Sequence, residues 1–456
     1  MKKIVIIGAD ATGLKAASKI RRCDSKAQIT VIDKSDIISY GACGLPYYVS
    51  GEIEHINKLM MTADGEIRDA AYFNTKHIDV LTRTLATKID RNNKMVTVKN
   101  LITEEESLLP YDKLVIATGA SPVKPPLPGI ELGNIHQFWH PHDAIIIRQG
   151  LEEGIFKNGV IIGAGLVGME MAAALKMRGL NVTVIVRKDR VFTAFLDEEV
   201  AKQVTEYFRE KGIAILIFEN VQKFIGDTVV NQVRTDKQTI PADLVVLTIG
   251  TNPNVELART AGLNIGATGA IVVNQYMQTS DPDIYAGGDC VETTSIITGK
   301  KVYSPLGSIA NKHGRIIGEN ICGYRVAFRG VLNTVIVKVM DLSVGKVGLN
   351  EQEAKTNGYN YITVTIRDYD RPHYMPEAKI ITLKLIADAK TRKVLGAQAF
   401  GEGEIAKRID VIAATLTLGG TIDDLSGMDL SYSPPFSSPI DNVAVAADVI
   451  MNKLND

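Results

Sequence analysis

Val160-Ile-Ile-Gly163-Ala-Gly165-Leu166-Val167-Gly168 is the stretch on which the fold reading turns. Three β-branched apolar residues suit a strand buried on both faces. The glycines follow in the spacing Gly163-x-Gly165-x-x-Gly168, and an Ala- and Met-rich helix comes next. The first glycine permits a tight turn, the second lets the backbone approach a pyrophosphate, and the third lets helix and strand pack closely. The helix N-terminus then offers free N–H groups to the phosphates. Val182-Thr-Val-Ile-Val186 completes a βαβ unit. An acid after that strand would hold the adenosine ribose of NAD. Here the residue is Arg187, followed by Lys188 and Arg190. A basic cluster suits a 2′-phosphate, so NADPH is favoured over NADH; a solvated loop is the plainer alternative.

The pattern occurs once before, 155 residues upstream. Lys3-Ile-Val-Ile-Ile7 leads into Gly8-Ala-Asp10-Ala11-Thr12-Gly13, a helix over 14–22 and a strand at Ile29–Ile32. Asp10 stands where the second glycine belongs, which weakens the motif. Its place after the first strand restores it, as does Asp33, set as a ribose partner should be. The run Asp283-Ile-Tyr-Ala-Gly-Gly288-Asp289 supports FAD as the ligand of this unit, with Asp289 able to reach the ribityl chain. Two strands ending in glycine, Leu114–Gly119 and Leu244–Gly250, mark crossings between domains, and the Pro-rich stretch 121–129 reads as a linker. From about residue 330 strands alternate, such as Asn333–Val339 and Lys379–Leu385, with helices over 404–418 and 439–453.

The chain has 456 residues, enough for two to four domains. A net charge of -1 gives no electrostatic reason to expect nucleic acid or an anionic membrane as partner. No apolar run reaches the ~18 residues of a membrane helix. Asp10 and Lys15 interrupt the apolar run behind Lys2 and Lys3, so a buried first strand explains it better than a signal peptide. The four cysteines, Cys23, Cys43, Cys290 and Cys322, form no CxxC pair, so neither zinc nor a disulfide scaffold is expected. No metal site is expected, and the cytoplasm is the expected compartment.

One cysteine stands apart. In Ser39-Tyr-Gly-Ala42-Cys43-Gly-Leu-Pro-Tyr-Tyr48 the thiol lies in a glycine-rich turn ahead of a helix start. A helix N-terminus lowers a thiol pKa and favours the thiolate. For Cys23, Cys290 and Cys322 the reading is a small buried apolar residue.

Taken together the motifs resemble the pyridine nucleotide-disulfide oxidoreductases, over essentially the whole chain. The order is FAD fingerprint, cysteine motif, Ala117-Thr118-Gly119, NAD(P) fingerprint, Gly-Gly-Asp and a C-terminal dimerisation region. The resemblance implies an α/β chain with two Rossmann-like domains plus an α+β dimerisation domain. The FAD domain would be discontinuous, 1–118 with 251–328; the NAD(P) domain with its linker would take 119–250, and dimerisation 329–456. No rhodanese domain is expected after it. The implied FAD contacts are Gly8, Asp10, Ala11, Thr12, Gly13, Asp33, Lys34, Cys43, Ala117, Thr118, Gly119, Gly288, Asp289, Pro305, Leu306 and Phe436. The implied NAD(P) contacts are Ile162, Gly163, Gly165, Leu166, Val167, Gly168, Glu170, Arg187, Arg190 and Gly250.

Within that family the chain looks like the single-cysteine branch: coenzyme A-disulfide reductases, NAD(P)H polysulfide reductases and NADH oxidases. Tyr48 occupies the place of a second cysteine, so no internal dithiol forms with Cys43. Ala11 stands where oxidases and peroxidases usually carry His, which disfavours oxygen or peroxide as substrate. Ser431-Tyr432-Ser-Pro-Pro-Phe436 resembles the segment that reaches the partner's flavin and thiol in a homodimer, with Tyr432 and Tyr374 as catalytic tyrosines. The sequence around Tyr374 departs from the usual Tyr-Tyr-Pro-Gly. Lys15, Lys19 and Arg22 share one helix face, and the resemblance assigns them, with Ser39, Lys76 and Lys312, to coenzyme A. Ala42 and Ile440 depart from residues often found in that branch. The expected activity is reduction of coenzyme A disulfide, persulfide or polysulfide through Cys43. The alternatives are an NAD(P)H oxidase using a Cys43 sulfenic acid, and a redox-sensing or electron-transfer flavoprotein.

Overall fold

The computed structural model describes residues 1–456. Lys3–Ile7 is the central strand of a five-stranded parallel sheet, in the order Ile284–Ala286, Lys113–Ile116, Lys3–Ile7, Gln28–Ile32, Asp79–Leu81. Its residues Ile4 to Ile7 are all buried, as a strand covered by helices on both faces must be. The helix Ala11–Cys23 follows the glycine turn and buries Leu14, Ala17 and Ile20, which recur every third residue. It stops at Asp24, whose N–H still donates to the Ile20 carbonyl while its side chain accepts from the N–H groups of Lys26 and Ala27. Arg21 and Arg22 in the last turn complement the negative end of the helix dipole.

A second parallel sheet repeats the plan, with Asn158–Ile162 central in the order Ala214–Ile217, Asn181–Val186, Asn158–Ile162, Leu244–Leu247, Ile135–His136. Each sheet also carries an antiparallel three-stranded meander, at Thr84–Pro110 and at Val221–Pro241, inserted before the strand that leads to the crossing. The two crossings run side by side: Ala120–Pro122 pairs antiparallel with Thr251–Pro253. Asn254 locks them, donating to the Thr118 carbonyl at 2.8 Å and accepting from the Ser121 hydroxyl at 2.8 Å. The first sheet thus receives its last strand, Ile284–Ala286, only after the second sheet is complete.

The C-terminal sheet is antiparallel, in the order Val335–Val339, Leu342–Gly348, Val394–Gly401, Ile380–Asp388, Tyr361–Tyr369. Helices Ala406–Leu418 and Asn442–Asn455 close one face, with Ile409, Ile412, Val443 and Ile450 packed on Leu383 and Leu385. Val337, Val339, Leu342 and Val344 join instead the core of the second nucleotide unit. The same junction holds a charged hub. Lys384, 1% exposed, points its ammonium at Asp197 (2.8 Å), Glu351 (2.6 Å) and Glu199. These three carboxylates have the mutual spacing of metal ligands, but the ammonium fills their centre. No helix is long and apolar enough to cross a membrane.

Candidate active site

Both glycine turns adopt the conformation their motifs require. Gly8 has φ +111° and Gly163 +106°. A Cβ on Gly8 would lie 2.1 Å from the Ala117 carbonyl oxygen, and one on Gly163 would lie 2.5 Å from that of Thr248. Each turn therefore packs onto the neighbouring strand end and tolerates only glycine. Gly165 differs, since nothing lies within 4 Å of an added Cβ. The open side of that turn is where a phosphate would approach the backbone.

In the first turn Asp33 pins the geometry, accepting from the Ala9 N–H at 2.7 Å and the Ser35 N–H at 2.8 Å. Asp10, the departure from the motif, is an acid held near neutrality. Burial pushes its pKa up to about 7, helped by Asp33 and Asp289, while the N–H groups of Tyr40 and Ala11 act in the opposite sense. A carboxyl poised to lose its charge explains how the turn admits an acid where glycine is usual. Thr12 is buried and its hydroxyl donates to the Ala310 carbonyl at 2.9 Å. That side chain holds two helices together, leaving only its backbone free to face a cofactor. Lys34 is exposed, as is Pro305, and Leu306 is half-buried.

Asp289 follows the strand Ile284–Ala286 at the rim of the first sheet. Its Oδ1 is buried without a partner, and burial raises the acid to about 6. An orphaned carboxylate oxygen at this place fits the ribityl hydroxyls of FAD, which would satisfy it. Two supports escaped the sequence reading. Tyr303 donates to the Asp289 carbonyl at 2.9 Å, and the His313 Nδ1 accepts the Gly288 N–H at 3.2 Å. His313 is buried, and desolvation lowers its pKa to about 4, so it stays neutral. A single histidine within a helix carries no sequence signal of this role.

Cys43 lies exposed in a short 3-10 turn, Ala42–Gly44, joined to the helix Leu45–Ser50. Leu45 and Val49 bury into the core of the second nucleotide unit, which seats the thiol between the two units. Tyr48, at the place of a second cysteine, stacks against the Arg148 guanidinium, which donates to its carbonyl at 2.6 Å. The expected lowering of the thiol pKa is not found. The following helix has six residues, and the surrounding protein raises the thiol, first by burial and then through Glu170, Asp289 and Asp10. Glu170, on the helix after the second turn, is itself raised by burial to about 7. The structure thus gathers the thiol, both glycine turns and the Gly-Gly-Asp loop into one electrostatic neighbourhood.

Elsewhere the expected residues are arranged unevenly. Arg187 and Lys188 are exposed at the end of Asn181–Val186, whereas Arg190 pairs with Asp189 at 2.5 Å. Lys15, Arg22 and Lys312 are exposed, but Lys19 is tied to Glu319 at 3.0 Å, so the cationic face has two free members rather than three. Lys76 lies over the Tyr72 ring. Ser39 is 8% exposed with φ +54°, and its carbonyl accepts from Arg68, so it shapes the cysteine loop rather than presenting a surface. Cys290 is wholly buried, as read from sequence; Cys23 and Cys322 are only half-buried, contrary to that reading.

Tyr374, Tyr432 and Phe436 are exposed on the C-terminal domain. No hydrogen bond, ion pair or ring contact joins them to the Cys43 turn of the same chain. The two tyrosine loops are stapled together: Arg371 donates to the Pro435 carbonyl at 2.9 Å and pairs with the buried Asp370 at 2.9 Å. Arg408, fully buried, ties Asp370 to Asp441. The Tyr374 phenol is raised, first by desolvation and then by the Tyr432 hydroxyl, so the two hydroxyls adjoin.

Two dinucleotide turns on twin parallel sheets, with one exposed thiol between them, define a flavin- and pyridine-nucleotide-dependent oxidoreductase. Residues 2–314 match the pyridine nucleotide-disulphide oxidoreductase family and residues 334–444 match its dimerisation domain, and the chain belongs to this family. Membership implies FAD and NAD(P)H as cofactors. Among relatives, the NAD(P)H coenzyme A polysulfide/persulfide reductase of Pyrococcus horikoshii is 38% identical over 98% of both chains. An NADH oxidase of Methanocaldococcus jannaschii is 35% identical over the full length of both. The solved structure of an NAD-dependent persulfide reductase from A. fulgidus is 48% identical, with a TM-score of 0.97 over 99% of this chain and 84% of that one.

Proposed function

We propose that this chain is an NAD(P)H-dependent reductase of coenzyme A disulfide, or of coenzyme A persulfide and polysulfide, acting through Cys43 in a cytoplasmic homodimer. The observation that carries this is the exposed Cys43 thiol at the meeting of both nucleotide turns, with Tyr48 in place of a second thiol. Relatives named for sulfur and coenzyme A chemistry support it. When bound, FAD would supply the two electrons, drawn from NAD(P)H. Gly8 to Gly13, Asp33, Ala117 to Gly119 and Asp289 would hold it. Gly163 to Gly168 and Gly250 would hold the nicotinamide cofactor, and the exposed Arg187 favours its 2′-phosphate form.

Cys43 attacks one sulfur of the substrate disulfide, forming Cys43–S–S–R and expelling one thiolate. Two electrons then cleave that mixed disulfide, returning the Cys43 thiolate and a second thiol. With its thiol raised, Cys43 ionises most readily when the neighbouring acids are neutral. Burial lifts Glu170 and Asp10 to about 7, where either could hold or release the protons the cycle moves. Lys15, Arg22 and Lys312 would receive the coenzyme A phosphates, and Tyr374 and Tyr432 of the partner subunit would orient the leaving sulfur.

A second reading, an NAD(P)H oxidase, is favoured by the name of the Methanocaldococcus relative. NADPH and NADH oxidation followed anaerobically with coenzyme A disulfide or polysulfide, then repeated in air without either, separates the two. Turnover only in air would replace the sulfur reading with the oxidase one.

A further inference from the structure

The helices Ala11–Cys23 and Gly307–Ile321 run side by side in the same direction, in contact from end to end. At one end the Thr12 hydroxyl donates to Ala310, and at the other the Cys322 Sγ lies 3.9 Å from the Ile20 carbonyl oxygen. Backbone meets backbone because one helix presents glycine at successive turns. A Cβ on Gly314 would fall 2.4 Å from the Thr12 oxygen and 2.8 Å from Lys15 Cβ. On Gly318 it would fall 2.7 Å from Lys19 Cβ and 3.0 Å from the Ala16 oxygen. Four residues along one helix thus advance the contact by four along the other. The next step reaches Cys322, and the same register sets it against Ile20 and Cys23. The Cys322–Ile20 distance confirms the first of these neighbours.

The Cys322 thiol also responds to the second: burial pushes it up to about 11, and the Cys23 thiol acts on it in the same direction. Both cysteines are half-buried, at the ends of packed helices. Cys290, by contrast, is fully buried, with its sulfur turned to the Ile116 and Gly287 carbonyls.

We propose that Cys23 and Cys322 are a second redox pair, separate from Cys43, which closes to a disulfide when the protein meets a low-molecular-weight disulfide. Because the Cys322 thiol is held protonated, Cys23 attacks first. Its thiolate takes one sulfur of RSSR, giving Cys23–S–S–R and RS⁻. Cys322 then loses its proton to solvent and attacks the Cys23 sulfur, expelling the second RS⁻. Two thiols are oxidised and one disulfide is reduced to two thiols. The new bond clamps the C-terminal ends of the helices that carry Lys15, Arg22 and Lys312.

The test uses the full-length Cys43→Ser protein with its flavin, reduced, desalted and exposed without air to oxidised glutathione. It is then alkylated, thiols are counted after denaturation, and peptides are mapped. The expected result is a fall from three thiols to one and a peptide joining Cys23 to Cys322, reversed by dithiothreitol. In Cys43→Ser proteins that also carry Cys322→Ser, a stable glutathione adduct on Cys23 should replace the crosslink. Glutathione on both Cys23 and Cys322 without a crosslink, or no reaction at either, would overturn the proposal.

Discussion

Asp10→Asn should change the pH dependence of stability more than its value at low pH. The folded acid is raised from 3.8 to about 7, so its charged form is disfavoured by the folded state. Below about pH 4 the group is protonated in both states and contributes nothing. As pH rises the unfolded chain ionises first, and the penalty on the folded state grows until about pH 7, above which it is constant. At about 1.4 kcal/mol for each pH unit of that window, the upper bound is about 4 kcal/mol. Asp10 keeps some exposed surface, and solvent screening reduces this to roughly 2 kcal/mol. Asparagine can still accept from the Tyr40 and Ala11 N–H groups but carries no charge. The melting temperature of Asp10→Asn relative to the parent should therefore climb by roughly 2 °C between pH 4.5 and pH 8. Thermal melts at half-unit pH steps measure it. A difference that stays flat, or that falls as pH rises, would refute the burial argument.

The two glycines of the second turn should behave differently. Gly163→Ala, with φ +106° and a carbonyl 2.5 Å away, should destabilise the unit by several kcal/mol, about as much as a strained backbone plus overpacking. Gly165→Ala has open space, so the melting temperature should hold while KM for NAD(P)H rises at least tenfold in steady-state assays. Lys384→Met leaves Asp197, Glu199 and Glu351 facing one another and should cost about 3 kcal/mol, read by urea denaturation at low salt. Arg187→Ala should raise KM for NADPH about tenfold and leave that for NADH nearly unchanged.

Much of this fold could be read because its signals are local. A glycine turn needs positive φ and a close neighbour, and Gly8 and Gly163 satisfy both demands with residues the motif itself implies. The strands Lys3–Ile7 and Asn158–Ile162 are central in their sheets and read as unbroken apolar runs for that reason. What was not legible depends on partners distant in sequence. Thr12 gave no hint that its hydroxyl would be used by Ala310, nor Lys19 that Glu319 would neutralise it. The two meanders lack distinctive motifs. Cys43 looked like a thiol lowered by a helix, but burial raises it first, and then carboxylates from three separate segments. The approach of Cys23 to Cys322, about three hundred residues further along the chain, was equally invisible. The spacing of Gly314 and Gly318 acquires meaning only once the two helices are paired.

The central claim is that Cys43 is the thiol that carries the substrate sulfur through NAD(P)H-driven turnover. Protein reduced and freed of excess NAD(P)H would be mixed anaerobically with coenzyme A disulfide, and its peptides mapped before and after NAD(P)H is added. The account predicts a coenzyme A adduct on Cys43, discharged by NAD(P)H with release of free coenzyme A, and no turnover in Cys43→Ser. Full disulfide turnover in Cys43→Ser, or an adduct that NAD(P)H leaves in place, would contradict it.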